Sequence, residues 1–457
     1  MNLYECFLKN VKKYPDKYAL IINDKAYTYK ELYKLVENFP YDFKPNTHIG
    51  VLLENSIEFV VLLLLAAKKN FVLIPLAPNT PKSQLKRFFE KCDIEVVITQ
   101  EGIKYYKNIK KLKNDAYIIT TTSGSTSEPK PIVLTQDIKL KRIEKAIEIY
   151  NLNESDIVLV STPMYHSLAQ RGVLLPLTIG ATSIIMKRFT PKGYLESIQK
   201  YKVTFSFAVS NQLTAISHIY TNYDLSSLKN LVSTSYSIKP EIKKKLYENL
   251  ECEIHECYGT SEIGCATNLS SKEISKYTKS VGKPLKDVNI KILNLENGIG
   301  EIAVKTPTRF KEYYKDPKKT EESFEGEYFK TGDLGYIKDN FLYFVGRKKE
   351  MIKTGGISVY PKDIEEVLLT IKGVKECAVI GVSDEYFGEV IVAVIVGDCT
   401  KKELQEVCLK NLAPYQIPMH FDFVDSLPKN SLGKIQKFKL KERFKNLNIS
   451  KRLKGLI

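Results

Sequence analysis

The chain has no C-x-x-C pair: its eight cysteines, at positions 6, 92, 252, 257, 265, 377, 399 and 408, are scattered. That spacing argues against a disulfide framework and against a zinc ribbon. Cys252, His255, Cys257 and Cys265 are near one another in sequence, but a strand over 254–258 sends alternate side chains to opposite faces. Only His255 and Cys257 share a face, so no metal site is expected there. Long hydrophobic runs are also lacking. The longest clean one, 59–67, is far short of a membrane span, and Met1-Asn2-Leu3-Tyr4-Glu5 has no charged-then-apolar leader. A cytoplasmic protein with no membrane span is expected. Internal repeats, low-complexity segments and the G-x-x-x-x-G-K-[ST] order of P-loop NTPases are absent as well.

Acidic residues are in deficit: Asp+Glu 53 against Lys+Arg 69 leaves a net charge of +16. Such a charge attracts nucleotides, coenzyme A, acidic carrier proteins, nucleic acid and anionic membranes alike. The Lys-rich pieces 104–113 and 437–454 contain aromatics, but the first reads as a polar connector and the second as a terminal tail. Both are solvated surface, and no nucleic acid partner is expected.

At 457 residues the chain exceeds one small core. Up to residue 117 it alternates helical and strand patterns. Leu3 to Tyr14 has apolar residues at helical spacing, Tyr18 to Ile22 and His48 to Leu53 read as strands, and Thr28-Tyr29-Lys30-Glu31 is a helix-starting capping box. Ile57 to Lys68 and Pro81 to Lys91 read as further helices between strands. This βαβ rhythm means a mainly parallel sheet covered by helices. It resumes after residue 138, then gives way between 280 and 345 to short strands split by Gly, Asn and Asp, the pattern of a small antiparallel subdomain. Past Gly346-Arg347 comes an α+β module of about a hundred residues, a usual size for a separate domain. The expected class is α/β, with a composite N-terminal domain over 1–346 and a smaller C-terminal one over 347–457.

The most unusual local stretch is Thr120-Thr121-Thr122-Ser123-Gly124-Ser125-Thr126, followed at a short distance by Lys130. Hydroxyls, one Gly and an ammonium cannot pack as core but can wrap an anion. Because Pro129 and Pro131 flank the lysine and 132–135 reads as a strand, the local picture is strand, hydroxyl loop, strand. Four more clusters stand at expected turns: Tyr258-Gly259-Thr260-Ser261-Glu262, Thr331-Gly332-Asp333, Gly346-Arg347 with Lys353-Thr354-Gly355-Gly356, and 428–434 ending in Gly433-Lys434. An aromatic can stack on a base, hydroxyls can hold phosphate and a carboxylate can hold Mg²⁺.

In this order and at these separations the five clusters resemble the adenylate-forming superfamily of acyl- and aryl-CoA synthetases, firefly luciferase and the adenylation domains of nonribosomal peptide synthetases. The resemblance covers nearly the whole chain. It implies a large N-terminal domain of two α/β sheets plus a small β-barrel, and a mobile C-terminal domain. It also implies ATP, Mg²⁺ and coenzyme A, or a carrier-protein phosphopantetheine, as partners of a small carboxylic acid.

Carried over motif by motif, Thr122, Ser123, Gly124, Ser125 and Thr126 would form the loop over the ATP phosphates, with Lys130 as its cation. Tyr258, beside Gly259, would stack on adenine, Ser261 would touch the α-phosphate and Glu262 would hold Mg²⁺. Asp333 and Arg347 would hold the ribose. Lys434 would bridge the substrate carboxylate and the α-phosphate, Lys349 would be the hinge, and Gly355-Gly356 would line the thiol channel after a domain rotation.

The sequence departs from the family pattern at Ser127 and Pro131, where Gly is common, and over 233–240, where Ser235 and Tyr236 stand in place of small residues that floor the adenine and acyl pockets. Tyr236 either narrows the acyl pocket or faces solvent. The 163–166 stretch resembles the His-bearing loop of acyl- and aryl-CoA synthetases, which implies that His166 lies near the acid; Arg171, just beyond it, either recognises a second carboxylate on the acid or lies on a helix surface, and Tyr236 and Gly264 are the other residues expected near the acid. No Asp matches the one that amino-acid adenylation domains use. An acyl-CoA synthetase is therefore expected, with a free-standing enzyme loading an acidic carrier protein as the alternative acceptor reading. The reading from another class is a nucleotide-binding protein with a decayed site.

Overall fold

The computed structural model describes residues 1–106, 115–121, 130–235, 238, 240–430 and 433–444. Its strands form four sheets. The largest has nine strands in the order Lys283–Pro284, Gly264–Ser270, Glu253–Thr260, Asn230–Thr234, Phe205–Val209, Ile157–Val160, Thr182–Ile185, Tyr18–Ile22, Lys25–Thr28. The pairings from Glu253–Thr260 through to Tyr18–Ile22 are parallel, and antiparallel strands close both edges. A second sheet of six strands is centred on His48–Leu52 and Val72–Pro75. It ends in the antiparallel pair Ile118–Thr121 and Pro131–Leu134, the two stems of the expected hairpin.

Between these two sheets lies the main core. Helix Ile57–Lys69 is apolar on every side, with Phe59 to Ala67 all buried, as suits an element covered by layers on both faces. Ser56 caps its start by accepting the Phe59 N–H, and Asn70 in left-handed geometry ends it. Each large apolar side chain removed from water here contributes about 1.5–3 kcal/mol. The capping box at Thr28 is present: its hydroxyl accepts the Glu31 N–H, and the Glu31 carboxylate accepts the Thr28 N–H at 2.8 Å.

The antiparallel subdomain is a five-stranded sheet built from Asn289–Glu296, Ile299–Lys305, Phe324–Glu325, Tyr328–Lys338 and Phe341–Arg347. After a single 3₁₀ turn, Lys348–Glu350, the fourth sheet begins. Its strands Ile352–Thr354, Ile357–Val359, Val374–Asp384, Gly388–Gly397 and His420–Phe423 enclose a separate apolar cluster with helices Pro361–Leu368 and Lys401–Asn411. No helix among the described residues is long and apolar enough to cross a membrane.

Two local readings need correction. Thr331-Gly332-Asp333 does not follow a strand as a turn; it lies inside the strand Tyr328–Lys338. Ala303 pairs with Lys330 and Glu301 with Leu334, so three residues oppose Ile302 alone and the chain bulges there. The Lys-rich pieces are not wholly solvated connector and tail: Lys104 and Tyr105 belong to the edge strand Gly102–Tyr105, and the second piece begins as the helix Lys437–Phe444, whose Leu440 and Phe444 are buried.

Candidate active site

One cavity of about 1110 Å³ opens where the hairpin of the nine-stranded sheet, the bulged strand and the turn before Ile435 converge. Lys130, Tyr258, Glu262, Arg347 and Lys434 line it although they come from all parts of the chain.

Lys130 is placed by sheet edges. Pro131 opens an edge strand, a position where a missing N–H is tolerated. Residues 311–314 cover that edge: Val133 donates to the Glu312 carbonyl, Lys311 donates to that of Val133, and Ile132 bridges Tyr313. The covering segment puts Tyr313 beside both charges of the site. Lys130 Nζ lies 5.5 Å from the Tyr313 ring centre, and the Tyr313 hydroxyl donates to Glu262 Oε1 at 3.1 Å. Burial and the nearby Lys319 lower the Lys130 pKa, with Glu262 opposing them. The other Glu262 oxygen has no donor among the described residues, which suits a cation ligand.

The hairpin that carries Glu262 is exceptionally tight. A Cβ on Gly259 would stand 1.9 Å from the Gly264 carbonyl oxygen, so only glycine fits. Arg142, 4% exposed, fixes the turn: it donates to the carbonyls of Thr308 at 3.0 Å, Ser261 at 3.0 Å and Glu262 at 3.1 Å. Burial, with Arg171 nearby, draws the Arg142 pKa down to about 9.

The bulged strand gives Thr331 and Gly332 to the cavity's second wall and sets Asp333, itself buried, just behind it. Its cross-strand partner is Arg347, and Tyr258 donates to its Oδ2 at 2.8 Å. Arg347 Nε stands 2.8 Å from Oδ1 as an ion pair without hydrogen-bond alignment, so this 1%-exposed carboxylate keeps one oxygen with no donor among the described residues. An unsatisfied buried carboxylate oxygen is costly, and a ligand hydroxyl would satisfy it. Thr260 Oγ1 is likewise buried with no partner among the described residues. These orphaned oxygens fit the hydroxyls of a ribose. Burial pushes the Asp333 carboxyl up, while Arg347, Tyr258 and Lys434 hold it down.

Lys434 enters from the C-terminal module on a turn closed by Asn430, whose side-chain oxygen accepts the Lys434 N–H at 2.9 Å and whose N–H donates to the Lys434 carbonyl at 2.9 Å. Its ammonium pairs with no carboxylate among the described residues. Burial and Arg347 lower its pKa against the pull of Glu350 and Asp333. Lys437 backs it, held by Glu365 at 2.7 Å. Lys349 lies in the 3₁₀ turn at the joint, where partial burial of its ammonium and the adjacent Arg347 bring its pKa to about 8.

The far end of the cavity is formed by His166, Ser167, Arg171, Phe207, Gly264 and Cys265. Helix Ser167–Ile179 starts just after His166. Burial lowers the His166 pKa to about 4, so its imidazole is neutral at pH 7. Arg171, one turn into the helix, lies 5.7 Å from the centre of the Phe207 ring.

The structure thus brings together Lys130, Ser235, Tyr258, Gly259, Ser261, Glu262, Gly264, Arg347, Lys349 and Lys434, with His166 and Arg171 at the far end. Gly355 and Gly356 do not line the cavity; both have positive φ, +55° and +82°, in the tight turn between two strands of the fourth sheet. Thr122, Ser123, Gly124, Ser125, Thr126, Ser127 and Tyr236 lie outside the described residues. Sequence reasoning missed Arg142, Lys139 and Tyr313. Lys139 and Arg142 could have been found, because they fall on the same helical stripe as Ile143, Ala146 and Tyr150, where charges are unexpected.

The family model described as AMP-binding enzyme matches residues 7–115 and 106–314, and that of the AMP-binding enzyme C-terminal domain matches 363–434. An uncharacterized acyl–CoA ligase of Bacillus subtilis is 27% identical over 97% of this chain and 98% of its own length. The 2-succinylbenzoate–CoA ligase of Bacillus licheniformis is 33% identical, over 72% of this chain and 70% of that one. Among solved structures, the o-succinylbenzoate CoA synthetase of Bacillus subtilis, in complex with its acyl-adenylate intermediate, superimposes with a TM-score of 0.87 at 25% identity, covering 96% of this chain and 98% of that chain.

Proposed function

Because the chain belongs to the AMP-binding enzyme family, we propose that it is an ATP-dependent acid:thiol ligase that activates a carboxylic acid as its acyl-adenylate and passes the acyl group to coenzyme A. The observation that carries this reading is the ammonium of Lys434, unpaired with any described carboxylate, lining one cavity together with Lys130, Glu262 and Arg347, the last of which is ion-paired to the buried Asp333 behind it. The named relatives, all CoA ligases, support coenzyme A as the thiol donor.

A carboxylate is a poor acyl donor because its leaving group would be oxide. In the first step a carboxylate oxygen of the acid attacks the α-phosphorus of ATP; the new oxygen–phosphorus bond forms as the bond to pyrophosphate breaks. Two anions must meet. Lys434 would sit between carboxylate and α-phosphate, while Lys130, with the hydroxyls of Thr122 to Thr126, would take charge from the departing pyrophosphate. Ser261 would donate to the α-phosphate, Tyr258 would stack on the base, Asp333 would accept from the ribose hydroxyls and Arg347 would donate to them. Glu262 would hold Mg²⁺, which when bound neutralises phosphate charge. In the second step the thiol gives up its proton to solvent, its sulfur forms a bond to the acyl carbon, the acyl–oxygen bond breaks, and AMP leaves with the electron pair of that bond.

Placed between carboxylate and α-phosphate, Lys434 would stand in the approach that a thiol needs. We therefore read residues 1–346 and 347–457 as two bodies that turn about Lys349, a turn that would bring Gly355 and Gly356 toward the cavity. No disulfide joins any of the eight cysteines, all of which are among the described residues, and this suits the reducing cytoplasm.

Lys434→Ala is expected to lower acid-dependent ATP–pyrophosphate exchange by about 10²–10³-fold. Thioester formation from supplied acyl-adenylate should be largely retained. Equal loss in both half-reactions would mean that Lys434 is not specific to the adenylation step. Offering the adenylate to coenzyme A and to acidic carrier proteins decides the acceptor.

A further inference from the structure

Among the described residues, the acyl end of the cavity is cationic with no acid paired to its charge. Arg171 lines the wall and makes no ion pair among the described residues; its close partner is the face of Phe207 at 5.7 Å. Behind it Lys139, 3% exposed, is held by neutral oxygens, Gln170 Oε1 at 2.7 Å and Ser167 Oγ at 3.2 Å. Arg142 spends its donors on the backbone carbonyls of Ser261, Glu262 and Thr308. Glu262 is the one carboxylate acting on Arg142 among the described residues, and it is turned toward Tyr313 and the metal position.

This end is distinct from the one that holds Lys434. The groups acting most on Lys434 are Arg347, Glu350, Asp333 and Lys437, whereas Arg171 acts on Lys139, Arg142, Tyr150, Cys257 and Cys265. An acid with a single carboxylate would present it to Lys434 and lay a neutral body against Arg171. That would strip water from a guanidinium and return nothing, an arrangement proteins avoid. A second carboxylate would supply the missing charge, and a guanidinium fork matches carboxylate geometry.

We propose that the acid activated by this enzyme is a dicarboxylate, with one carboxylate adenylated at Lys434 and the other received by Arg171. This rests on the ligase reading above. Arg171 would act as a specificity-determining residue, with Lys139 and Arg142 adding to the positive potential behind it.

The test is ATP–pyrophosphate exchange by the full chain with matched pairs: aliphatic and aromatic dicarboxylates, each beside its distal mono-amide. The expected kcat/KM favours the dicarboxylate by about 30-fold or more. Arg171→Gln should erase that preference through the KM for the acid and leave the KM for ATP unchanged, and Arg171→Lys should recover part of it. Equal exchange within pairs, or an Arg171→Gln variant that keeps the wild-type preference, overturns the inference alone. If Arg171→Gln fails to fold, the paired wild-type measurement still decides. Exchange with no acid of either kind overturns the ligase reading, and this inference with it.

Discussion

Lys139 holds an ammonium in the protein interior with two neutral oxygen partners and no carboxylate among the described residues. Burial, reinforced by Arg142 and Arg171, lowers its pKa well below 10.5. A base whose pKa is depressed on folding weakens the folded state: the penalty is complete below the folded pKa and fades as pH rises from there toward 10.5, the unfolded value. Lys139→Met, which keeps the packing volume and removes the charge, should therefore stabilise the chain by about 1–3 kcal/mol near neutral pH. Chemical denaturation at a series of pH values checks this, and the advantage must shrink as the medium becomes alkaline. A constant or growing advantage would mean that packing, not charge, sets the effect. The stripe of Lys139, Arg142, Ile143, Ala146 and Tyr150 is visible in the sequence, but a cation on it has two readings, a stem lying along the surface or a fully buried head. The partners that decide between them, Gln170 and the Ser261–Glu262 carbonyls, come from far along the chain. Arg171 is ambiguous in the same way, and its neighbour Phe207 is what places it on the cavity wall.

The turn bearing Lys434 meets helix Ser210–Ile216 at a close point. A Cβ on Gly433 would stand 1.7 Å from Asn211 Nδ2, and Gly433 has a φ of +74°. Gly433→Ala should thus push the turn off the helix and move Lys434, lowering pyrophosphate exchange by about tenfold or more. Asn211→Gly added to it removes the clash but not the backbone strain, so partial recovery is expected. No recovery in the double variant would assign the whole loss to φ. Elements like this turn are readable from sequence as chemistry and not as contacts. The helix Ile57–Lys69 and the stems Ile118–Thr121 and Pro131–Leu134 follow from periodicity and flanking residues, because burial imposes those patterns locally. The bulge at Thr331-Gly332-Asp333 reads as a turn because Gly and Asp favour both. Only the register against Ile302 distinguishes them, and that register is set by a neighbouring strand.

At the scale of the molecule, the alternation of helix and strand announces parallel sheets but not their order. Tyr18–Ile22 lies beside Thr182–Ile185, so the first strand joins a sheet most of whose members come more than a hundred residues later. Nothing in the local sequence specifies such a partner; it follows from how the apolar faces of helices such as Ile57–Lys69 are shared between two sheets. Charge, in contrast, is fully legible from composition and has a consequence for the whole chain. A net +16, with Lys434 and Arg171 lining one cavity and paired with no described carboxylate, raises the local concentration of polyanions and speeds their capture. Both ATP and coenzyme A are polyanions, and pantetheine has the same thiol arm without the phosphates. On raising the salt from about 20 to 200 mM, screening shortens to about 7 Å and the kcat/KM for coenzyme A should fall by about tenfold. The kcat/KM for pantetheine, measured with the preformed acyl-adenylate so that ATP binding does not enter, should change little. If both thiols respond alike, salt acts on the proposed turn about Lys349 and not on the approach of the anion. The charge of +16 would then serve solubility alone.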